Sequence, residues 1–258
     1  MCMPNNFQRS HAAPKNRGKI ISTSAYLDVT YPPCDLPRSA YPDSLAEWLH
    51  RHLYKRRGTL LDVGCGNGDF LAAFHRQGYS VAGVDISPKS KDLIGTFEIS
   101  ITDFTTDRLA YDDATFEFVF CKSVIEHLGD PIPLLQECHR VLAPGGIAVM
   151  LTPSWEHTYW GPFFIDHTHV TPFTKVSLQN AMLMSGFSAV RCSYFRQLPL
   201  LWKYPFLSTF SRFISIMPLP YRPHQEFPWP ESVNKLIRFS KEVMLLGVGT
   251  KSDQPEKA

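Results

Sequence analysis

Two hydrophobic rhythms take turns along this chain. Short, mostly apolar runs closed by an acid or a turn residue (Leu60 to Val63, Ser80 to Ile86, Phe116 to Cys121, Ile147 to Pro153) read as buried strands. A shorter run ends in Ile101-Thr102-Asp103-Phe104. Between the runs, apolar residues recur at helical spacing: Leu45, Trp48, Leu49 and Leu53; Phe70, Leu71 and Phe74; Leu134, Leu135, Cys138, Val141 and Leu142; Val176, Leu178, Ala181, Met182 and Met184. Strand and helix patterns that alternate in this way predict an α/β domain, a doubly wound parallel sheet with helices on both faces.

Local punctuation supports those boundaries. Asp43 is placed to cap the first helix, and Lys55-Arg56-Arg57-Gly58 to close it. Gly78 ends the second helix and Pro144-Gly145-Gly146 the helix before the fifth strand. The piece from Pro88 to Phe97 is short for a crossover helix. Two later strands are expected, near Ser188 to Phe195 and over Val243 to Lys251.

The chemistry gathers first in Leu60-Leu61-Asp62-Val63-Gly64-Cys65-Gly66-Asn67-Gly68-Asp69-Phe70-Leu71. A strand leads into an acid, three glycines fall at alternate positions, and a helix begins. Glycines there let the backbone turn at positive φ and let a ligand approach where a Cβ would collide. The helix N-terminus then turns open N–H groups toward that ligand. The dinucleotide fingerprint spaces its glycines G-x-G-x-x-G. Here the third glycine comes one residue early, and an acid precedes the first.

With these residues the chain resembles the class I S-adenosylmethionine-dependent methyltransferases (Rossmann-like, of the methyltransferase domain 11/23 type), whose first motif is (D/E)-x-G-x-G-x-G. Two further blocks carry the resemblance: Phe116-Glu117-Phe118-Val119 with Leu/Ile-Glu-His-Leu at Ile125-Glu126-His127-Leu128, and Arg140-Val141-Leu142-Ala143-Pro144-Gly145-Gly146 before an apolar strand. Glu117 stands where the family usually has Asp. The resemblance covers Leu60 to Lys251. It implies a seven-stranded, mostly parallel sheet with an antiparallel last strand, and S-adenosyl-L-methionine as cofactor. It implies the cofactor residues Asp62, Gly64, Cys65, Gly66, Gly68, Asp85, Ile86, Asp103, Phe104, Cys121 and Lys122. Asp62 helps hold the amino group and sulfonium, Asp85 accepts the ribose hydroxyls, and Asp103 meets the adenine amino group. Backbone carbonyls at Cys121 and Lys122 meet the methionine amino group. Asp85 also reads as a turn residue before Ser87-Pro88, and Asp103 as a strand-end turn aspartate.

Composition narrows the partners. In 258 residues with a net charge of +2, nothing argues for nucleic acid. Six cysteines without a C-x-x-C spacing read as reduced thiols of a cytoplasmic protein. No N-terminal h-region and no bilayer-length apolar run is present. The chain divides into an N-terminal tail and lid segment (1–42), a methyltransferase core (43–195), an aromatic and Pro-rich insertion (196–240), and a final strand and tail (241–258). Tyr26, Tyr31 and Tyr41 either line the lid or pack outside the domain.

The acceptor side is expected after the fifth strand, where residues 155–174 are dense in aromatics and hold three histidines and two acids. If the acceptor is a hydroxyl, a histidine suits the role of base. His167 or His169 is the expected base, with Asp166 orienting an imidazole; His127 either points into the site or anchors a helix. Asp166, His167 and His169 also read as a divalent-metal set, but no fourth ligand can be placed, and no metal is expected. Loop histidines that merely satisfy carbonyls are the remaining reading.

In the insertion, Phe206, Leu207, Phe210, Phe213, Ile214 and Met217 share a helical face opposite Ser208, Ser211, Arg212 and Ser215. Such a helix over residues 200–220 suits a peripheral contact at the inner face of the membrane, a cover over the pocket, or a dimer contact. Its one cation gives weak attraction to anionic lipid. The expected activity is O-methylation of a sugar, glycan or lipid-linked hydroxyl. A quinone-type or other small aromatic acceptor is the alternative, as is a cofactor-binding protein without catalysis. The oligomeric state is left open.

Overall fold

The computed structural model describes residues 39–88, 90, 96–104, 107–219, 221 and 230–253. In chain order the elements are α1 (Tyr41–Leu49), β1 (Thr59–Val63), α2 (Asp69–Arg76), β2 (Ser80–Asp85), β3 (Ile99–Ile101), β4 (Phe116–Lys122), α3 (Ile132–Val141) and β5 (Leu142–Pro153). There follow α4 (Trp155–Thr158), α5 (Lys175–Met184), β6 (Ser188–Phe195), α6 (Pro199–Lys203), α7 (Ser208–Ile216), α8 (Glu231–Lys241) and β7 (Met244–Thr250). Tyr26, Tyr31 and most of the segment from Pro88 to Phe97 lie outside the described residues.

The strands form one seven-stranded sheet in the order β3-β2-β1-β4-β5-β7-β6. β1 pairs in parallel with β2 and β4, β2 with β3, and β4 with β5. β7 runs antiparallel to both β5 and β6, as the resemblance implied.

The period of two in the strands builds the core on both faces. Leu61, Val63, Val119, Cys121, Ala148 and Met150 pack with Leu135, Cys138, Leu178 and Met182 of α3 and α5. Their neighbours Leu60, Phe118, Phe120, Val149 and Leu151 pack with Leu45, Leu49 and Phe74 of α1 and α2. Each fully buried large side chain contributes about 1.5–3 kcal/mol, so central strands apolar on both faces fix the register firmly.

Three boundaries differ from the sequence reading. Asp43 does not cap α1; it pairs with Arg76 of α2, while Pro42 occupies the first turn. Nor does Gly58 close that helix, which runs on through a wide turn, His50–Tyr54, to Lys55 at φ 60°. Gly58 instead clears the Glu117 carboxylate, which accepts from Thr59 N–H and pairs with Arg56. Pro144-Gly145-Gly146 lies inside the start of β5, where the ladder to β4 shifts between Phe116 and Phe118.

Arg140 explains the arginine of its motif. Its guanidinium holds Glu137 through two bonds, 2.8 and 2.7 Å, and donates to the carbonyls of Tyr111 and Leu109. That clamps the loop leading into β4.

Candidate functional site

Because β1, β2, β4 and β5 are parallel, their carboxyl ends share one edge, where ligands of open α/β sheets bind. The glycine turn leaves β1 at this edge. Gly64, Gly66 and Gly68 have φ of 75°, 52° and 75°, the left-handed region that glycine enters without strain. A Cβ on Gly64 would stand 2.2 Å from Val124 Cγ2. The N–H groups of Gly64 and Cys65 both donate to Val84 O, tying the turn to β2. Gly66 N–H donates to Asp85 Oδ2 at 2.8 Å and Ser87 N–H to Asp85 Oδ1 at 2.9 Å. Asp85 is therefore a turn residue and the hub of the cradle, and its remaining lone pairs stay open to hydroxyl donors.

Asp62 is 2% exposed, and its Oδ2 has no hydrogen-bond partner among the described residues. Burial pushes its carboxyl up to about 8, with Asp85 adding and Lys122 opposing. An orphaned buried oxygen beside a glycine cradle marks a place for a cationic donor. Lys122 extends over Phe70, its Nζ 5.8 Å from the ring centroid. Burial lowers the Lys122 ammonium, against the pull of Glu126 and Asp62.

The other expected cofactor residues divide. Ile86 and Asp103 are half-buried, just past β2 and β3. Cys65 packs on Leu71 and Ile99, while Phe104 and Cys121 belong to the core on the α3 face. The side chains of these three take part in the packing of the core. Ser123, immediately after β4, was missed from sequence: it holds φ 56° and donates its N–H to Leu151 O at 2.8 Å. Strain of this kind costs about 1–3 kcal/mol and gathers at functional sites.

A second cluster forms beyond β4 and β5. The N–H groups of Val170 and Thr171 both donate to Glu126 O, pinning the histidine loop onto the turn after β4. The His127 and His169 rings stand edge to face, centroids 4.7 Å apart. His169 Nδ1 donates to Phe163 O at 2.7 Å, and His127 Nδ1 bonds Thr168 Oγ1 at 2.8 Å. Burial pushes the His127 imidazole down to about 4, with His169 adding and Asp166 opposing. Glu126 is fully buried; its Oε2 accepts from the Thr152 hydroxyl at 2.9 Å, and burial raises its carboxyl to about 7.

The expected histidines thus part company. His169 and His127 come together, whereas His167 is exposed outside the cluster. Asp166 reaches an imidazole through the Thr168 hydroxyl, which donates to Asp166 Oδ1 at 2.6 Å. Desolvation works against the Asp166 carboxylate, but the bonds from Thr168 hold it below its usual range. The metal-capable set changes accordingly: Glu126, His127 and His169 bring their ligand atoms within 4.8 Å of one another, in place of Asp166, His167 and His169. Sequence reasoning missed Glu126 as a functional residue, because its burial rests on partners distant in the chain.

These residues fit S-adenosylmethionine: an orphaned acid for its ammonium, a Cβ-free turn, and a carboxylate hub one strand away. Residues 38–191, more than half of the chain, match the family model described as a methyltransferase domain. The ubiquinone biosynthesis O-methyltransferase of Paracidovorax citrulli is 36% identical over 95 residues, 34% of this chain and 40% of that protein. The chain thus spans less than half the length of the curated relatives it matches. An S-adenosylmethionine-dependent methyltransferase from Archaeoglobus fulgidus superposes with a TM-score of 0.56 at 21% identity, over 81% of this chain and 94% of that one. One from Mesorhizobium loti gives 0.57 at 18% identity, over 81% and 100%. By its matched core, its strand order and its glycine turn, the chain belongs to the methyltransferase-domain family, in the fold of the S-adenosylmethionine-dependent enzymes.

Proposed function

We propose that this chain transfers a methyl group from S-adenosylmethionine to a hydroxyl of a small ring acceptor of the quinone-precursor type. Bound S-adenosylmethionine supplies a methyl group on a positively charged sulfur, open to in-line attack. Asp62 receives its ammonium, Asp85 its ribose hydroxyls, and the backbone from Gly64 to Gly68 its flank; Asp103 lies toward the adenine. Lys122 offers its charge to the methionine carboxylate. The acceptor enters beside Glu126, His127 and His169, where its oxygen must come within about 3–3.5 Å of the methyl carbon. His169, fixed by the Phe163 carbonyl, takes the hydroxyl proton on Nε2. Thr168 and Asp166 steady His127 beside it.

The observation that carries this reading is the cluster of buried Glu126 with half-buried His127 and His169 beyond the same edge as the glycine cradle. The sugar or glycan acceptor expected from sequence gives way to a ring because the relatives that match are named for ubiquinone biosynthesis. The test is release of S-adenosylhomocysteine by the purified protein with a catechol and with sugar diols as acceptors. Turnover of the catechol is expected. Turnover of sugars alone would overturn the ring, and no release with any acceptor would support a binding protein without catalysis.

α7 adds a second part to the proposal. Most of its aromatic stripe is turned outward: Phe206, just before α7, is 75% exposed and Phe210 and Phe213 are exposed as well, while Ile214 is buried. Ser211, assigned to the polar side, is buried and donates to Ser240 of α8 at 2.8 Å. No helix among the described residues is long and apolar enough to cross a membrane. An outward aromatic face on a short helix supports a surface contact with lipid. Vesicle sedimentation tests it; equal pelleting of wild type and a Phe210→Ser, Phe213→Ser variant would end it.

A further inference from the structure

We infer that Arg196, with His157 beside it, forms an oxyanion site that holds an acid group carried by the acceptor. Strand register sets its place. Pro153 of β5 and Phe195 of β6 both pair with Met244 of β7, so the two strands run the same way and end level with each other. His157 lies just past the end of β5 and Arg196 directly past the end of β6. Both therefore stand beyond the edge that carries the glycine cradle and the histidine loop.

Each residue is fixed by its own contacts. Arg196 O accepts from Leu198 N–H at 2.8 Å and from Trp202 Nε1 at 2.9 Å, which pins the turn. His157 Nδ1 bonds the buried Ser154 hydroxyl at 2.9 Å, and the ring meets Tyr194 edge to face at 4.7 Å. The link to the acceptor cluster is short. Trp155, two residues before His157, packs on Phe163 with centroids 5.4 Å apart, and the Phe163 carbonyl is the group that fixes His169.

What the place wants follows from what it lacks. Arg196 Nε is buried without a hydrogen-bond partner, and no carboxylate pairs with this guanidinium among the described residues. Its charged neighbours are cationic or can become so. Burial lowers the Arg196 guanidinium, with Arg212 of α7 adding, and burial lowers the His157 imidazole, with Arg196 adding and Glu156 opposing. Glu156 is occupied elsewhere: it accepts from the Ser154 hydroxyl at 3.3 Å and from Lys175 N–H at 3.4 Å. Glu242, at the end of α8, is held by Arg238 at 2.7 Å. A buried guanidinium N–H facing only other cations is costly until an anion completes it. The guanidinium fork matches the paired oxygens of a carboxylate or phosphate. Because Ser154 gives its own proton to Glu156, it accepts from His157 Nδ1, and an anion then favours a second proton on Nε2.

The inference deepens the proposed function and rests on it: the acceptor ring carries an acid as well as the hydroxyl that is methylated. Inorganic phosphate and a lipid headgroup share the oxyanion chemistry. The ring acid is favoured because the site adjoins the acceptor cluster through Trp155 and Phe163.

The test is calorimetry of the full chain with catechol and with protocatechuate, which is catechol bearing a carboxylate. Inorganic phosphate and phosphatidylglycerol vesicles serve as competitors. Protocatechuate should bind about 10–100-fold tighter than catechol, and phosphate should compete with it. Arg196→Gln should remove that advantage, Arg196→Lys keep part of it, and Arg191→Gln, on the exposed side of β6, keep all of it. Equal thermal midpoints report that the variants are folded; if Arg196→Gln does not fold, the wild-type ratio and Arg196→Lys decide. Equal affinity of the wild type for both rings, or an advantage that survives Arg196→Gln, overturns the site. Vesicles bound through Arg196 without any preference for protocatechuate assign the cations to lipid headgroups and overturn it as well. S-adenosylhomocysteine release in the same samples separates the two proposals. Methyl transfer to both rings at equal affinity removes the oxyanion site alone, and an Arg196-dependent preference without methyl transfer keeps that site while removing the methyl-transfer reading.

Discussion

The cofactor cradle and the acceptor cluster lie beyond one edge of the same sheet but are built in opposite ways. The cradle is local in sequence: one turn from Asp62 to Gly68, tied to the adjacent strand through Asp85. The cluster joins Glu126 and His127 to His169 across a strand, two short helices and a loop, and exists only when Val170 and Thr171 are pinned to Glu126 O. The cradle uses backbone geometry, which few residue types allow. The cluster uses side-chain atoms, one buried carboxylate and two half-buried imidazoles, whose placing depends on every element packed around them. A cradle of this kind tolerates change around it, and a cluster of that kind does not.

The largest expected effect falls on the cluster. His169→Ala should lower turnover about 10²–10⁴-fold, measured as S-adenosylhomocysteine release, while His167→Ala stays within about threefold. Equal losses in both would place the two histidines in one role and break the division drawn here.

Next is the cradle. Asp85→Ala should weaken cofactor binding by about 1–3 kcal/mol in calorimetry and also lower the denaturation midpoint, because Gly66 and Ser87 N–H lose their acceptor. A binding loss without a stability loss would mean that the turn holds itself.

Asp62 gives the pH dependence. Its carboxyl, raised to about 8, keeps its proton in the folded protein where an unfolded aspartate has lost it. The folded state then binds more protons between about pH 4 and 8, and stability falls as pH rises through that window. A cationic ligand favours the ionised form, so binding below pH 8 should release about one proton and strengthen by up to about tenfold per pH unit. Calorimetry in two buffers of different ionisation enthalpy reads the proton, and Asp62→Asn should abolish it.

The smallest effect is at Ser123, between the two regions. Ser123→Gly should raise stability by about 0.5–1 kcal/mol, relieving φ 56° in a chemical-denaturation curve. A loss instead would give the Ser123 side chain a structural task.

The same contrast explains what the sequence disclosed. Strands apolar on both faces, such as Phe116–Cys121, and the spaced glycines are local signals, so the sheet and the cradle were legible, while the reversed last strand came only from the family resemblance. The burial of Glu126 was not, because it depends on Thr152 and on a loop forty residues later. His167 and His169 are indistinguishable in the string Asp166-His167-Thr168-His169; only the Phe163 carbonyl selects one of them. For α7 the period was legible but not the side that meets the domain, since nothing local announces that Ser211 meets Ser240. At Asp43, an ion pair with Arg76 outcompeted the cap.

One consequence follows from a turn already fastened by Asp85 and Val84. In the proposed complex Asp62, Asp85 and the glycines would address the ammonium, the sugar and the backbone flank, all parts of the nucleoside that methyl transfer leaves as they were. Attraction spent on them is the same before and after the reaction. The spent thioether should therefore sit nearly as well as the fresh sulfonium, and its departure or downstream removal becomes a brake on the cycle.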